Sequence, residues 1–422
     1  MVLRTTVPKS FAMSAFFGWI DYSEKERRRM LDTLSLLKQQ GILDELGIGT
    51  VRDALADLLF PGTSTIQTRP RYFLIIPWIY ERVERKGWKG KSAGAVARDV
   101  ETRVTESLRR GPDTSGVIGV DAGPALIRPA SEIYWQGLRR WGIRLFDGSR
   151  DRYHRWLDQR QIRGAVTSEL TATDDGEPTL TALPRWHWSL PPAPSSFPDL
   201  EGLALTGPEA EYLRERILTA SPNSLLAALI RDEAPIEGTN FPWDVPGKPS
   251  WPKLVTAHVE LAKHFSETMH GAALIYNLML ARETRNDDLI QVYQTALSDW
   301  SLLVQSEAKA FRDWDQSALL VALSSIGRVP SAHALKFVGD WHRLVSGRVE
   351  GSMSPATLAD DAKVHGLIKE REWQMKGRRA RLGNPERLAS WSGISGASQL
   401  DFRWRIVQSH VRDLLDGARA GA

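Results

Sequence analysis

The sequence predicts a mainly α-helical chain built as multi-domain helical bundles, with room for small helix-turn-helix or winged-helix-like elements. Three observations predict this fold class. Apolar residues recur at intervals of three and four over most of the 422 residues, which is the spacing of one helix face. Ser, Thr or Pro stands where several of these stretches begin. Pro-Gly or Gly-Pro pairs end others.

The first part of the chain contains six predicted helices. Ser23, with Glu26 three residues later, forms a capping box ahead of the first. Pro61-Gly62 ends the second, and Pro77 inside the third predicts a kink or a break. The predicted ranges are 23–40, 50–60, 70–85, 92–110, 131–141 and 150–160.

A proline-rich stretch follows these helices. Seven prolines lie between Pro178 and Pro208, and residues 179–188 alternate weakly between apolar and polar, which predicts a short strand. We therefore predict an N-terminal helical domain over 1–160, a Pro-rich linker with short strands over 161–207, and a C-terminal helical domain over 208–422. The helices predicted in the last part span 208–218, 221–230, 251–281, 287–312, 331–345, 355–376 and 399–418.

Composition excludes several classes of function. The chain has no cysteine, which excludes thiolate zinc sites, iron–sulfur clusters, disulfide scaffolds and a Cys nucleophile. It has no apolar run of about 18 residues, so we expect no membrane partner and a cytoplasmic protein. The formal charge of +4 permits contact with nucleic acid without implying it. The 16 Trp residues indicate large packed surfaces.

Two glycine-containing segments resemble nucleotide-binding loops, and each fails at a specific residue. The segment GKS at 90–92 matches the end of a P-loop, but Arg85 stands where the first glycine is required. The segment GIG at 47–49 begins a dinucleotide fingerprint, but Arg52 replaces its third glycine. We therefore predict no nucleotide cofactor, although the helix start at Ser92 can still attract an anion.

The helix predicted over 251–281 carries the most suggestive metal-binding pattern. Its histidine and glutamate side chains recur every two to four residues, at His258, Glu260, His264, Glu267 and His270. Such spacing places ligands on one helix face, and Glu-x-x-His pairs hold di-iron centres in bundles. The chain has no second Glu-x-x-His, and apolar residues occupy the opposite stripe. We therefore expect a solvent-facing polar side here, with no metal ligands and no cofactor.

Two Glu-x-Lys pairs, at Glu84 and at Glu307, match half of a restriction-type nuclease core. That core needs its residues on a strand, whereas both pairs fall in predicted helices. No catalytic residue is predicted on this basis. A metal-dependent enzyme or nuclease with an unrecognised site stays open as an alternative.

Basic residues cluster in three places. One cluster lies on the first predicted helix (Lys25, Arg27, Arg28, Arg29) and another towards the C-terminus (Lys376, Arg378, Arg379, Arg381, Arg403, Arg405). The middle cluster, with aromatic residues between its cations, follows the hydroxyl-rich segment TSTIQTR at 63–69. Arg and Lys neutralise phosphates, hydroxyls donate to them, and aromatic rings stack on unpaired bases. We therefore predict nucleic-acid contact by Thr63, Ser64, Thr65, Arg69, Arg71, Lys86, Lys89 and Lys91.

Two other interpretations remain open. Each basic cluster fits an ordinary solvated helix face as well, since glutamates such as Glu81 and Glu84 stand among the cations. A protein–protein scaffold without nucleic-acid contact is suggested by the Pro- and Trp-rich segment at 235–251, because exposed aromatic residues anchor interfaces. In that case Trp243 and Trp251 are the expected anchors.

Several segments resemble an uncharacterised bacterial family of unknown function. They are FGWIDYSEKERRRMLD, the stretch from DELGIGTVRDAL to FLIIPWIY, GVIGVDAG, IYWQGLRRWGI and SGASQLDFRWRIVQSHVRDLLDG. The resemblance spans most of the chain, brings no active site with it, and implies a DNA-related role beside helicases and phospholipase-D-like nucleases in antiphage defence. We therefore predict a non-enzymatic nucleic-acid-binding or adaptor subunit of a bacterial multi-protein system, with DNA and helicase or nuclease proteins as partners.

Overall fold

The computed structural model describes residues 44–85, 88, 90–120, 128–170, 184–246, 250–349 and 355–421. Within these ranges the chain forms sixteen α-helices and no β-strand, which confirms the predicted mainly α fold. The helices are α1 (Gly49–Leu59), α2 (Tyr72–Arg85), α3 (Ala93–Arg110), α4 (Ala130–Arg140), α5 (Arg150–Leu170), α6 (Gly207–Ala220), α7 (Leu225–Arg231), α8 (Lys253–Glu283), α9 (Asp287–Ser306), α10 (Ala308–Arg312), α11 (Gln316–Ser325), α12 (Ala332–Val349), α13 (Pro355–Ala359), α14 (Ala362–Lys376), α15 (Pro385–Leu388) and α16 (Trp404–Ala420).

Side-chain caps set several of the helix starts. The Ser92 hydroxyl accepts a hydrogen bond from the backbone N–H of Ala95 at 3.3 Å, so α3 begins where the sequence predicts. The Asn286 side chain does the same for α9, accepting from the N–H of Leu289 at 3.0 Å. The helix predicted over 23–40 lies outside the described residues. No helix in the described ranges is both long and apolar enough to cross a membrane.

Two segments that were each predicted as one long helix form two shorter helices in the structure. In the segment 287–312 the helix is interrupted at Glu307, which caps the end of α9 and the start of α10. The prediction over 355–376 breaks near Asp361, whose carboxylate accepts the N–H of Lys363 at 2.7 Å and thereby starts α14. Apolar spacing alone did not reveal either break, because the stripe continues on both sides of the new cap. Helices α11 and α15 were not predicted.

Pro77 lies inside α2 without breaking it. A proline in a helix interior removes one backbone hydrogen bond and costs about 3 kcal/mol. All the residues from Tyr72 to Tyr80 are buried in the core. Burial of each large apolar side chain contributes about 1.5–3 kcal/mol. The free energy gained by burying these side chains of α2 therefore exceeds the free energy lost through its proline.

The predicted proline-rich linker is packed against the helices wherever the structure describes it. The Trp78 indole donates to the Pro191 carbonyl at 2.7 Å, and Phe197 and Leu200 are buried. Of the predicted strand over 179–188, residues 184–188 are described. They form one antiparallel bridge, between Arg144 and Trp186, rather than a strand.

Contacts in the described chain cross the predicted domain boundaries. Helix α16 packs on α6 and α7, α1 packs on α8 and α11, and buried residues from all these helices form one core cluster. Ion pairs also cross, since Arg69 reaches Asp413 and Arg71 reaches Glu209. The division into parts 1–160, 161–207 and 208–422 stays a prediction about independent folding.

Helix α8 is surrounded by its neighbours, and this corrects one expectation. It packs against α1, α7, α9, α10, α11, α12 and α14. The His/Glu side of α8 was expected to face solvent, yet His258 is 8% and Glu267 is 3% exposed. The expectation is wrong because a solvated face requires an uncovered side, and the helices that follow α8 close over it.

Candidate nucleic-acid interface

The hydroxyl-rich segment forms a braced loop between α1 and α2. The Thr63 hydroxyl donates to the Phe60 carbonyl at 2.7 Å. The Gln67 amide donates to the Gly62 carbonyl at 3.1 Å and accepts the N–H of Ser64 at 3.2 Å. Gly62 has a φ of +87°, and a Cβ there would lie 2.3 Å from Nε1 of Trp141. The loop therefore has a fixed shape that depends on glycine at this turn.

The three predicted hydroxyl residues differ in how far they can meet a ligand. Thr63 is buried and its hydroxyl is used inside the loop. Thr65 is exposed. Ser64 is half-buried, and its hydroxyl oxygen is buried without a hydrogen-bond partner among the described residues, so a ligand would reach it only after a rotation of the side chain. Ser64 and Thr65 are thus the two hydroxyl residues of the loop that are not already committed to it.

Arg69 and Arg71 are both neutralised within the chain. Arg69 Nε lies 2.5 Å from a carboxylate oxygen of Asp413, and Arg71 lies 2.9 Å from Glu209 and donates to the Gly202 carbonyl at 2.8 Å. The side chains of these pairs are at most 18% exposed. Partly buried arginines with carboxylate partners connect distant segments. This geometry gives both residues a structural role, and their contact with phosphate stays a prediction.

Of the three lysines predicted to contact nucleic acid, the structure describes only Lys91. Lys86 and Lys89 lie outside the described residues. Lys91 pairs with Asp99 at 2.6 Å, and both side chains are more than half exposed, as in an ordinary surface ion pair. The start of α3 is already bound by a carboxylate, since Asp158 accepts the N–H of Ala93 at 2.7 Å.

A cleft of about 310 Å³ opens beside the braced loop. The loop forms one wall, the C-terminal turn of α4 forms another, and the turn after α11 forms the third. Three arginines line it together with Ser64: Arg139 and Arg140 from α4, and Arg328 from the turn after α11. We call this feature the arginine cleft. The residues that line it are Asp57, Pro61, Gly62, Thr63, Ser64, Gln67, Ile133, Gln136, Gly137, Arg139, Arg140, Ile326 and Arg328.

Cations outnumber carboxylates in the arginine cleft. Asp57 is the one acidic residue among its lining residues. It is bound by Arg328 at 2.7 Å and, from behind the wall, by Arg403 at 2.8 Å. Arg140 is exposed and has no ion-pair partner in the described part of the chain, whereas Arg139 lies 3.9 Å from the exposed Asp147. The cleft therefore carries a net positive charge towards solvent.

Arg403 supports the cleft from inside. It also donates to the Thr63 carbonyl at 2.7 Å, so it joins the loop to the start of α16. Its φ is +72°, and that of Phe402 is +51°. Two successive non-glycine residues with positive φ cost free energy. The ion pair between Arg403 and Asp57 helps to stabilise this backbone conformation. Sequence reasoning placed Arg403 in the C-terminal basic cluster but not at this loop.

The other basic clusters contribute internal ion pairs. The first, on residues 25–29, lies outside the described chain. In the third, Lys376 and Arg381 both bind Glu45. Burial opposes ionisation of Glu45, but the two cations hold its pKa below the ordinary value. Arg378, Arg379 and Arg405 are exposed.

The proposed aromatic anchors of the scaffold interpretation are buried. Trp243 and Trp251 are each 6% exposed, because the segment that carries them packs on the core. Their high burial removes the reason for expecting an interface at 235–251. The most exposed tryptophans in the described chain are Trp188 and Trp373, at 85% and 59%.

Sequence reasoning missed the residues that define the cleft. Arg139 and Arg140 end a helix, where basic residues are common for electrostatic reasons alone. Arg328 is an isolated cation in a loop. These arginines approach the loop at 63–67 only in the folded chain. The composition of that loop was therefore the one feature of the sequence that pointed to this site.

The comparisons identify a family and no function. A family model described as "Family of unknown function (DUF6361)" matches residues 13–418. No curated protein and no solved structure matches the chain.

Proposed function

The chain belongs to the DUF6361 family of unknown function, and we propose that it binds nucleic acid by holding a backbone phosphate in the arginine cleft. One observation carries the proposal: Arg139 and Arg140 at the end of α4 and Arg328 after α11, from two separate segments, converge on one cleft beside a loop with uncommitted hydroxyl residues. The proposed contacts are Ser64, Thr65 and these three arginines.

Arginine suits a phosphate better than any other side chain. Its planar guanidinium donates two parallel hydrogen bonds to phosphate oxygens, and it stays charged at all physiological pH values. The cleft volume of about 310 Å³ is at the lower end for small-ligand sites. A cleft of this size has room for a phosphate with part of its sugar and is too small to enclose a duplex. Phosphate contacts position a strand without reading its sequence, so we expect little sequence preference.

We further propose that the protein acts as an adaptor in a bacterial multi-protein system of antiphage defence, with helicase or nuclease proteins as partners. The support is the resemblance of the chain to an uncharacterised bacterial family, which implies a role beside helicases and nucleases in antiphage defence. Trp188, which is 85% exposed, offers an aromatic surface for a partner. Co-expression with neighbouring genes and purification of Trp188→Ala beside the wild type tests this. Loss of a stoichiometric partner is expected, and unchanged recovery of every partner contradicts an aromatic anchor at Trp188.

The experiment for nucleic-acid binding compares two matched pairs of arginines. Fluorescence anisotropy with labelled single-stranded and duplex DNA measures the Kd at salt concentrations from roughly 50 to 200 mM. Over this range, affinity that comes from phosphate contacts falls steeply. The test variant is Arg139→Glu/Arg140→Glu. The control is Arg109→Glu/Arg110→Glu, because Arg109 and Arg110 also end a helix as an exposed pair, outside the cleft.

We expect the test variant to bind at least about 10-fold more weakly, with the slope of log K against log salt reduced by about one to two. The control should change the Kd by less than about 3-fold, through net charge alone. Equal weakening by both variants, or no salt-dependent binding by the wild type, contradicts the proposal. Duplex and single strands in one experiment show which form the cleft prefers.

A further inference from the structure

A second polar cluster, which shares no residue with the arginine cleft, lies between α8 and the junction of α9 with α10. His264 and Glu267 are three residues apart on α8 and share one face. Glu307 lies at the break between α9 and α10. One potential ligand atom from each of these three side chains lies within 4.8 Å of the other two.

Two atoms in this cluster are buried without a hydrogen-bond partner. The Glu267 side chain is 3% exposed, and its Oε2 has no partner among the described residues. His264 Nδ1 is also buried and without a partner. A buried carboxylate oxygen that accepts no hydrogen bond is costly and uncommon. The two unused atoms belong to residue types that bind metal ions, and they lie on the same side of α8.

We propose that His264, Glu267 and Glu307 bind one divalent transition-metal ion of the Mn²⁺ or Zn²⁺ class. One imidazole and two carboxylates form a mixed nitrogen and oxygen donor set, which these ions accept. The three protein ligands leave further coordination positions for water. Glu307 is 27% exposed, so the ion can enter from solvent on that side.

Lys263 is the competing cation. Its Nζ lies 2.6 and 2.9 Å from the two carboxylate oxygens of Glu307 and 3.7 Å from Oε1 of Glu267. It therefore neutralises Glu307 and leaves Oε2 of Glu267 unbound. When the ion binds, the ammonium must release Glu307. Its side chain is 20% exposed, and a flexible lysine can move its charge to solvent at little cost.

The remaining polar residues of α8 provide a control. Glu260 lies four residues before His264 on the same helix but outside the three-residue set. It is half-buried like the ligands at the edge of the cluster. Glu260→Gln therefore removes a negative charge from this region without removing a proposed ligand.

The full chain is freed of metal with a chelator and titrated with Mn²⁺, followed by electron paramagnetic resonance, and with Zn²⁺, followed by calorimetry. We expect one ion per chain. Glu267→Gln and His264→Gln should each weaken binding at least about 10-fold, the lower end of the effect of removing even a supporting residue. Glu260→Gln should stay within about 3-fold of the wild type. Lys263→Met should bind several-fold more tightly, since the competing charge is gone.

Three results overturn the proposal: no saturable binding by the wild type, equal weakening by Glu260→Gln, or no gain of affinity in Lys263→Met. The last result, together with a loss of stability in Lys263→Met, identifies the cluster as an internal ion pair. Thermal unfolding shows that each variant is folded before titration. Glu267→Gln keeps the shape of the side chain and removes a buried charge, so its loss of binding is not a loss of fold.

Discussion

Arg69 and Asp413 lie 344 positions apart in the sequence, and their side chains meet with Nε 2.5 Å from Oδ2. The contact joins the loop before α2 to α16. Burial raises the pKa of Asp413 even with Arg69 beside it, so the carboxylate depends on this guanidinium. A residue predicted to contact nucleic acid is thus part of the contact between the two ends of the described chain.

We expect Arg69→Ala to lower the free energy of unfolding by about 3–5 kcal/mol, because it leaves a mostly buried carboxylate without its partner. The double variant Arg69→Met/Asp413→Leu should recover most of that loss. Urea unfolding measures both. Lys91→Met is the control, since it breaks an exposed ion pair with Asp99 and should cost less than about 1 kcal/mol. Similar losses for Arg69→Ala and Lys91→Met contradict a structural role for Arg69.

The comparison of Arg69 with Arg139 shows what the sequence could predict. Helix spacing and caps predicted most of the helices, because those signals are local. The loop at 63–67 was also recognised from its own residues. Which cations face that loop depends on long-range packing: Arg69 turns to Asp413, while Arg139 and Arg328 arrive from other segments. The same holds for Glu307, which lies 40 positions from Glu267 and reaches it only through the break between α9 and α10.

The close approach of α9 to α8 depends on Gly271. A Cβ at this position would lie 2.2 Å from the Trp300 ring, and that ring is fixed because its Nε1 donates to the Glu267 carbonyl at 2.7 Å. We expect Gly271→Ala to lower the free energy of unfolding by about 1–3 kcal/mol or more, since a packed core does not accept the methyl group. Thermal unfolding measures it.

Gly366 provides the control for that substitution. It lies inside α14, and a Cβ there meets nothing within 4 Å. Alanine is the better helix former by roughly 1 kcal/mol, so Gly366→Ala should raise stability while Gly271→Ala lowers it. If both changes stabilise the protein, α8 and α9 do not pack as closely as described.

Buried histidines predict a loss of stability in acid. Burial, together with the charge of Arg69, lowers the pKa of His410 to about 3, and burial lowers that of His270 to about 4. In the unfolded chain both rings take up a proton near pH 6.5. Between pH 6.5 and about 4 the unfolded state therefore binds more protons, and stability falls as the pH falls. Above pH 6.5 neither ring contributes a pH dependence.

His410→Leu tests this window. Both ring nitrogens of His410 are buried without a hydrogen-bond partner in the described chain, so leucine removes a polar cost and the titration together. We expect a smaller decrease in the free energy of unfolding between pH 6.5 and 4, by up to about 1.4 kcal/mol for each pH unit. The exposed His333 serves as control, and His333→Leu should leave the slope unchanged. An unchanged slope in His410→Leu means that the ring is not kept neutral in the fold.

The charge of Asp57 gives the arginine cleft its most specific test. Asp57 is the single carboxylate among the lining residues and is bound by Arg328 and Arg403. Asp57→Asn keeps the side-chain shape and frees both guanidinium groups from a competing anion. Removal of one negative charge near a bound phosphate is worth roughly 1 kcal/mol close to the protein surface, so we expect binding to DNA to tighten about 5-fold at 50 mM salt.

This gain should shrink as the salt concentration rises, because screening shortens the reach of exposed charges. Asp53→Asn is the matched control, since Asp53 is on the same helix, pairs with Arg52 and lies outside the cleft. It removes the same net charge and should change the affinity by less than about 2-fold. Anisotropy titrations of both variants decide the question. Tightening by Asp53→Asn to the same extent means that net charge, and not the cleft, governs the affinity.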